Sequence, residues 1–576
     1  DPVLQSLVAK QVLRYVDENL SAERGQYVFL QGLLRTVALA TLSRRDRKAK
    51  HLAVARHLQE TWREEAGDIA EVLASHYLAA VDADPEASDA VAIRARACET
   101  LEEAGRRATS LALGPEARAH FERAAELAED SAARGRLLRE AGTAARMSGK
   151  LDDAQRLLTA AATLNREAGL VEDAAHAECL IGQVLLEVGR NEQAREALDR
   201  AAAALGASED THLLAELLAE RALLGFNEGR HEEAVELADR ALIMAERRQL
   251  WPALVNGLIT KSIAFAEIGR PVESFALLEH ATRVAVEHDL ALQAVRGYYN
   301  LADGVMAAGR LREGADLLQR GLELARRRGD RQSERRVLAQ MTIALAYLGR
   351  WDEAVEIAYG LREQAEDVWA FQAFLFLPVV LAARGEIAAL EQLPELTSPQ
   401  HGLDGAIAAG RSVVLRETGR VREAAAGLRE PMLATLELGT CEVPLVFAEA
   451  VQTAGAAGDD ALIEALVDRV AAMEPGGRLP LLDGEAQRAA GRLALLRGDA
   501  AAAQHAFRRA VDLFSKQESP FGLARAQLEY AEVLFASGDP DDTAARLRDE
   551  AARVFEQLRA TPWLERAEAL RSAVPA

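Results

Sequence analysis

The side chains that could do chemistry here are 11 histidines, three cysteines and a large stock of carboxylates. Their spacing argues against most reactions they could support. A metal-hydrolase helix sets two histidines four residues apart around a glutamate, whereas His51 with His57 and His280 with His288 are spaced otherwise, so no metal site is expected. Cys98, Cys179 and Cys441 stand far apart without a CxxC pair, which implies neither a disulfide framework nor a zinc site. Carboxylate pairs such as Asp152-Asp153 and Glu232-Glu233 belong to solvated helix faces rather than acid/base dyads. No GxxxxGK followed by Ser or Thr occurs, and no GxGxxG, so the chain cannot cradle a nucleotide by itself. The expectation is a chain with no catalytic residue, no metal and no cofactor of its own.

Charge narrows the partners. Lys plus Arg number 68 against 90 for Asp plus Glu, a net charge of −22. That balance disfavours a long face for phosphate backbones, and nucleic acid is not expected. The one dense basic run, Arg44-Arg45-Asp46-Arg47-Lys48-Ala49-Lys50-His51, reads either as a phosphate contact or as the solvated first turns of a helix. No apolar run reaches the roughly 18 residues that span a membrane. With no signal peptide and unpaired cysteines, a cytoplasmic location is expected. Asp1 rather than Met at the start suggests a piece of a longer protein.

The elements that must position any site come from a repeat. Leu186-Glu187-Val188-Gly189-Arg190-Asn191-Glu192-Gln193-Ala194 recurs in form, with glycines 40 apart at 149, 189, 229, 269, 309 and 349. Later glycines at 385, 419, 458, 498 and 538 follow at intervals of 36, 34, 39, 40 and 40. Each glycine closes one helix in the left-handed conformation, and the acidic residues after it suit the start of the next. Seven residues before the turn stand Gly142, Gly182, Ala222, Ser262, Ala302, Thr342, Ser412 and Gly491; five after it stand Ala154, Ala194, Ala234, Ser274, Gly314, Ala354, Ala424 and Ala503. All are small, as two closely crossing helices require. The arrangement resembles the tetratricopeptide repeat (TPR), stretched from 34 residues to 40 by longer helices or by longer connections. The fold expected is all-α: a right-handed TPR-like α-solenoid or superhelix, preceded by a small winged-helix-like remnant.

The remnant is read from residues 1–62. Val3 to Gln11 has helical spacing, and Val12 to Val16 and Gln26 to Leu30 are β-type runs joined by the polar loop Asp17 to Gly25. Gly32 to Leu42 and Arg45 to Trp62 are helical, the latter with Ala49, Leu52, Ala55 and Leu58 on one face. Residues 63–112 form a helical linker, 113–384 repeats of 40-residue period, 385–410 a worn repeat or hinge, and 411–576 further repeats with a cap around Trp563. The aromatic stretch Trp369 to Pro378 and the loop Pro475 to Pro480 interrupt the array.

The segment Gly25 to Ala38, then Thr41 to Ala53, and Ala74-Ser75-His76-Tyr77-Leu78-Ala79-Ala80, resembles the end of the ATPase unit in bacterial STAND-type signalling proteins. The likeness is greatest to those with a class III adenylyl cyclase domain in front and TPR-like repeats behind. It implies ATP or ADP and Mg bound by upstream domains only, and places Gln31 where relatives carry a histidine that reaches the ADP phosphate. An uncharged amide there weakens that contact.

In TPR arrays the first helix of each unit lines the concave face. Carried onto this sequence, those positions are Arg136, Arg139 and Arg146; His176, Gln183 and Glu187; Glu216 and Asn227; Asn256 and Glu267; then Arg296, Tyr299 and Asp303; and Arg336 and Tyr347. Arg and Tyr are frequent interface anchors. Arg296, Tyr299, Asp303, Arg336 and Tyr347 are the expected groove, for a protein or peptide partner or a small-molecule ligand. The function implied is a non-catalytic sensor and regulatory arm of a multidomain signalling ATPase, of the adenylyl cyclase type. The alternatives are the same arm in a LuxR-type ATP-dependent transcription activator, or a free-standing TPR scaffold.

Overall fold

The computed structural model describes residues 2–576 apart from 17–25, 62–68, 207–211, 362–372, 374–375, 394–403, 437–438, 475–477, 539–541 and 573–576. Among these it forms 30 helices and one β-hairpin. In chain order they are α1 Pro2–Ala9, β1 Leu13–Val16, β2 Gln26–Phe29, α2 Gly32–Ala40, α3 Arg44–Thr61, α4 Ala70–Ala83, α5 Ala90–Ser110, α6 Gly114–Leu127, α7 Ser131–Met147, α8 Leu151–Glu167, α9 Val171–Glu187 and α10 Asn191–Leu205. The middle holds α11 His212–Asn227, α12 His231–Arg248, α13 Trp251–Glu267, α14 Pro271–Glu287, α15 Ala291–Ala307, α16 Leu311–Arg327, α17 Arg331–Tyr347, α18 Trp351–Leu361, α19 Leu377–Arg384 and α20 Ile387–Leu390. Last come α21 Asp404–Glu417, α22 Val421–Ala426, α23 Arg429–Thr435, α24 Val443–Ala457, α25 Asp460–Ala471, α26 Pro480–Leu496, α27 Ala500–Phe514, α28 Pro520–Ser537, α29 Thr543–Leu558 and α30 Thr561–Ser572. The chain is an all-α TPR-like solenoid. It divides into two compact units, Asp1–Ile181 and Gly182–Ala576.

The 40-residue period has a simple cause. Most helices from α7 to α17 have 17 residues and are joined by three-residue turns. Every turn glycine from Gly149 to Gly538 has positive φ, 72° at Gly189. There the Arg190 amide donates to Leu185 O at 2.9 Å, which closes the helix end. Midway between those turns a second left-handed residue appears, at Gly169, Gln249, Asp289 and Gly329. The longer repeat therefore comes from longer helices and not from long connections.

The small positions are buried as their spacing requires, from Gly142 and Ala154 through Gly491 and Ala503. Ser262 Oγ donates to Ser274 O at 2.9 Å, so the residue seven before a turn does meet the residue five after it. A Cβ on Gly182 would lie 2.6 Å from Leu198, and one on Gly491 2.8 Å from Phe507, so the next turn of the second helix fills the space each glycine leaves.

Unit 1 begins with α1, the antiparallel hairpin and α2. Leu13 faces Phe29 and Tyr15 faces Tyr27 across the hairpin. Neither α1 nor α2 has a buried residue. The first core lies where Ala55 of α3, with Leu52 packed beside it, meets α4 and α5 through Leu73, Tyr77, Val81, Ile93 and Ala97; Leu58 of α3 is buried as well. Ala49 is exposed, which corrects its place on that face. From α4 onward the segment read as a linker is stacked helix.

In unit 2 the end of the array packs back against the turns of its middle. The Arg312 amide donates to Glu518 at 2.7 Å, Gly349 abuts Pro520 and Leu558, and Arg384 Nη2 meets Asp352 at 2.6 Å beside Leu558. Trp351, Phe521, Phe555 and Trp563 share one cluster, with Trp351 and Phe521 rings edge-on at 4.9 Å. The stretch Trp369, Phe371 and Phe374, the breaks at Pro394, Pro399 and Gly402, and the loop Asp17 to Gly25 lie outside the described residues.

Candidate partner-binding face

The first helices of successive hairpins lie side by side, and their inward polar residues are linked rung to rung. In unit 1, Arg136 of α7 donates to Glu102 of α5 at 2.9 Å, and Arg139 to Asp173 of α9 at 3.1 Å. In unit 2, Gln183 donates to Glu220 of α11 at 3.0 Å, and Arg296 of α15 to the Thr260 hydroxyl of α13 at 3.1 Å. Gln340 of α17 donates to Asp303 of α15 at 3.0 Å. Arg136, Arg139, Gln183, Arg296 and Asp303 thus take part in hydrogen bonds between the first helices of neighbouring hairpins.

Four of the five singled-out residues are joined by one run of contacts. The Arg336 guanidinium lies 5.3 Å above the Tyr299 ring. The Tyr299 hydroxyl donates to Gln340 Oε1 at 3.4 Å, and the Gln340 amide also donates to Cys441 Sγ at 3.3 Å. Tyr347 Oη donates to Cys441 O at 2.8 Å and accepts from the Leu445 amide at 3.2 Å. Arg296, Tyr299 and Arg336 are half-buried, and Tyr347 is buried. Tyr347 therefore does not face an open groove: the segment Cys441–Leu445 at the start of α24 covers it. Gln340 stands one helical turn after Arg336 and was legible on the same face; Cys441, about a hundred residues away, was not.

The electrostatics follow the packing. Burial lowers the Arg296 guanidinium to about 10, partly offset by Glu220 and Glu187, while Arg336 opposes its charge. Burial, then the neighbouring Glu442 carboxylate, pushes Asp303 up to about 7. Burial also raises the Cys441 thiol well above its ordinary range, with Glu442 and Asp303 adding to it. Ligand atoms of Asp303, Cys441 and Glu442 lie within 4.8 Å of one another. The expectation of no metal site rested on local spacing, and spacing could not show this trio.

Farther along, the same inner face is a buried ion network. Arg416 of α21 pairs with Glu449 of α24 at 3.0 Å. Arg525 of α28 pairs with Glu485 of α26 at 2.8 Å, and Arg488 with both Glu485 and Glu529. Arg492 closes on Glu529 as well. Burial alone would raise Glu529, but Arg488 and Arg492 hold it far below the carboxylate range. None of these residues was singled out as a site from sequence; the arginines and Glu485 recur at the inner positions, whereas Glu449 and Glu529 stand nine residues before Gly458 and Gly538, beside those positions.

The remaining sequence candidates are placed in unit 1. Gln31 is exposed at the N-cap of α2 and makes no capping hydrogen bond. The basic run forms the first turns of α3, capped by Ser43, whose Oγ accepts from the Asp46 amide at 3.1 Å; Lys48 pairs with Asp89. His51, unpaired in the sequence reading, meets His76 of α4 with Nδ1 atoms 3.1 Å apart. Burial and Arg35 lower His51, and burial, His51 and Arg35 lower His76.

No family model matches the chain, and no curated protein is similar to it. Among solved structures, the chain is similar to the Cut9 and Hcn1 hetero-tetramer of the APC/C, with 13% identity over 83% of this chain and 94% of that one, TM-score 0.39. It is similar to a Rap protein complexed with competence and sporulation factor, at 14% over 57% and 99%, TM-score 0.38. It is also similar to a STAND protein with a tetratricopeptide repeat sensor from Pyrococcus horikoshii, at 14% over 66% and 54%, TM-score 0.35. At these scores the likenesses carry nothing about function.

Proposed function

We propose that this chain is a non-catalytic sensor and regulatory arm that binds a protein or peptide partner on its inner face around Arg296, Tyr299 and Arg336. The observation that supports this reading is the half-buried Arg336 guanidinium over Tyr299 in unit 2, with Arg296 close enough to feel its charge. A partly exposed Arg and Tyr on rigid neighbouring helices present what interface anchors need: large contact area and little side-chain entropy to lose. The resemblance of residues 25–80 to STAND-type ATPases supports an output of this kind: partner binding biases an upstream ATPase, with ATP or ADP and Mg held there, and through it an adenylyl cyclase-type domain. Gln31 is the neighbour of nucleotide phosphate in that assembly. Such control requires two states with different affinity for the partner.

The test is the full-length protein with Arg296→Ala and Tyr299→Ala. Nucleotide exchange and cyclase output are measured alongside the thermal midpoint. Altered regulation with an unchanged midpoint is expected, and unchanged regulation would remove the face from the mechanism.

A further inference from the structure

The start of α28, far along the array from Arg296 and Tyr299, holds a second feature of a different kind. A cavity of about 20 Å³ is lined by Tyr347, Leu445, Glu485, Ser519, Phe521, Gly522 and Arg525, among others. That volume exceeds the roughly 10–15 Å³ one water needs. It admits a group of halide or carboxylate-head size.

Three observations give the cavity a sign. Ser519, Phe521 and Gly522 are the N-cap and first turn of α28, a helix of 18 residues. The first backbone N–H groups of any helix lack intrahelical partners and carry its positive dipole end. At α28 this end has no acidic residue in its first turn, and the Ser519 side chain makes no capping hydrogen bond. The nearby carboxylate of Glu518 is engaged elsewhere, with the Arg312 amide of α16.

The second observation is Arg525, one turn further on and 2% exposed. Its Nη2 donates to Glu485 at 2.8 Å, but Nε and Nη1 have no hydrogen-bond partner among the described residues. Nη1 lies 3.5 Å from Glu449 without a hydrogen bond. A buried guanidinium with Nε and Nη1 outside any hydrogen bond is costly, because the looser pairing with Glu449 and the Phe521 ring 4.8 Å away replace only part of the lost water. The third is the competition for the one carboxylate in the cavity wall: Glu485 is already shared with Arg488. Burial lowers Arg525 despite Glu485 and Glu449, whereas Arg488 is raised by its glutamates.

We propose that this cavity is a binding site for a small monovalent anion, held by the N-terminus of α28 and the unused N–H groups of Arg525. Anion binding at a helix N-terminus beside a cation is ordinary chemistry. The bound anion links α28 to α17 and α24 through Tyr347 and Leu445, which line the same space. Tyr347 borders both places, but Arg296, Tyr299 and Arg336 do not line the cavity, so either assignment can fail without the other.

The experiment uses the full chain in sodium gluconate, whose anion is too large for the cavity. Gluconate is replaced stepwise by formate, and in a second series by chloride, at constant ionic strength while the thermal midpoint is followed. A saturating rise with formate alone assigns a carboxylate site, and one with chloride assigns a halide-sized site; either supports the proposal. Ser519→Asp places a permanent carboxylate on the same N–H groups and is expected to abolish the response, as is Arg525→Gln. Should Arg525→Gln fail to fold, Ser519→Asp still decides. No rise above gluconate in either series, or a full response in Ser519→Asp, would overturn the site.

Discussion

Two stretches of one inner face in unit 2 use the same register for different ends. Around α13, α15 and α17 each rung joins an ionisable side chain to an uncharged one, Arg296 to Thr260 and Gln340 to Asp303, a half-buried residue against a buried one. From α21 to α28 the rungs are arginine–glutamate pairs, Arg416 with Glu449 and Arg488 with Glu529, nearly all below a tenth exposed. The first stretch keeps charge and aromatic surface within reach of a partner. In the second, each buried ion depends on its neighbour, and little is left to offer beyond Nε and Nη1 of Arg525. Tyr347 marks the junction, since Cys441 and Leu445 of the later stretch hold its hydroxyl.

The comparison breaks most readily in the ion network. Glu529→Gln leaves Arg488 and Arg492 without their shared carboxylate and should cost about 3–5 kcal/mol, read as a lower urea midpoint. Packing at the hairpin crossings should not distinguish the stretches. Gly182→Leu against Leu198 and Gly491→Leu against Phe507 should each cost about 1–3 kcal/mol. Gln193→Leu, exposed just before Ala194, should shift the midpoint far less. A large gap between the two glycine variants would mean that the crossings differ.

A smaller effect belongs to the junction. Asp303 is faced by Cys441 and Glu442 from the later stretch, by Glu267 of α13 and by Gln340 of α17, and its folded carboxyl is raised from 3.8 to about 7. The folded state keeps a proton that the unfolded state releases, so the stabilisation is full below the ordinary 3.8 and is lost as pH climbs to about 7. Asp303→Asn should flatten the fall in stability across that window. An unchanged pH profile would show that the group titrates normally.

The repeat was legible because it is local. Glycines at fixed intervals and small residues at fixed offsets need only one hairpin to explain them, and Gly189 and Ser262 behave as the spacing requires. Gln249 and Asp289 were not read as left-handed turn residues, since neither type announces that conformation as glycine does. The inner face was legible as a set of positions but not as a set of contacts. Cys441 reaches Gln340, His76 reaches His51, and Arg525 reaches Glu485 only after helices distant in sequence have stacked. The sealing of Tyr347 has the same origin.

The measurement that bears most directly on the division of the inner face is paired urea unfolding of Arg336→Met and Arg488→Met. Arg336 loses a cation–π contact with Tyr299, worth about 0.5–1 kcal/mol at a partly exposed site. Arg488→Met leaves buried Glu485 to Arg525 alone and buried Glu529 to Arg492, each short of one ion-pair partner. The account predicts a midpoint near wild type for Arg336→Met and a large loss for Arg488→Met. Equal losses would contradict it.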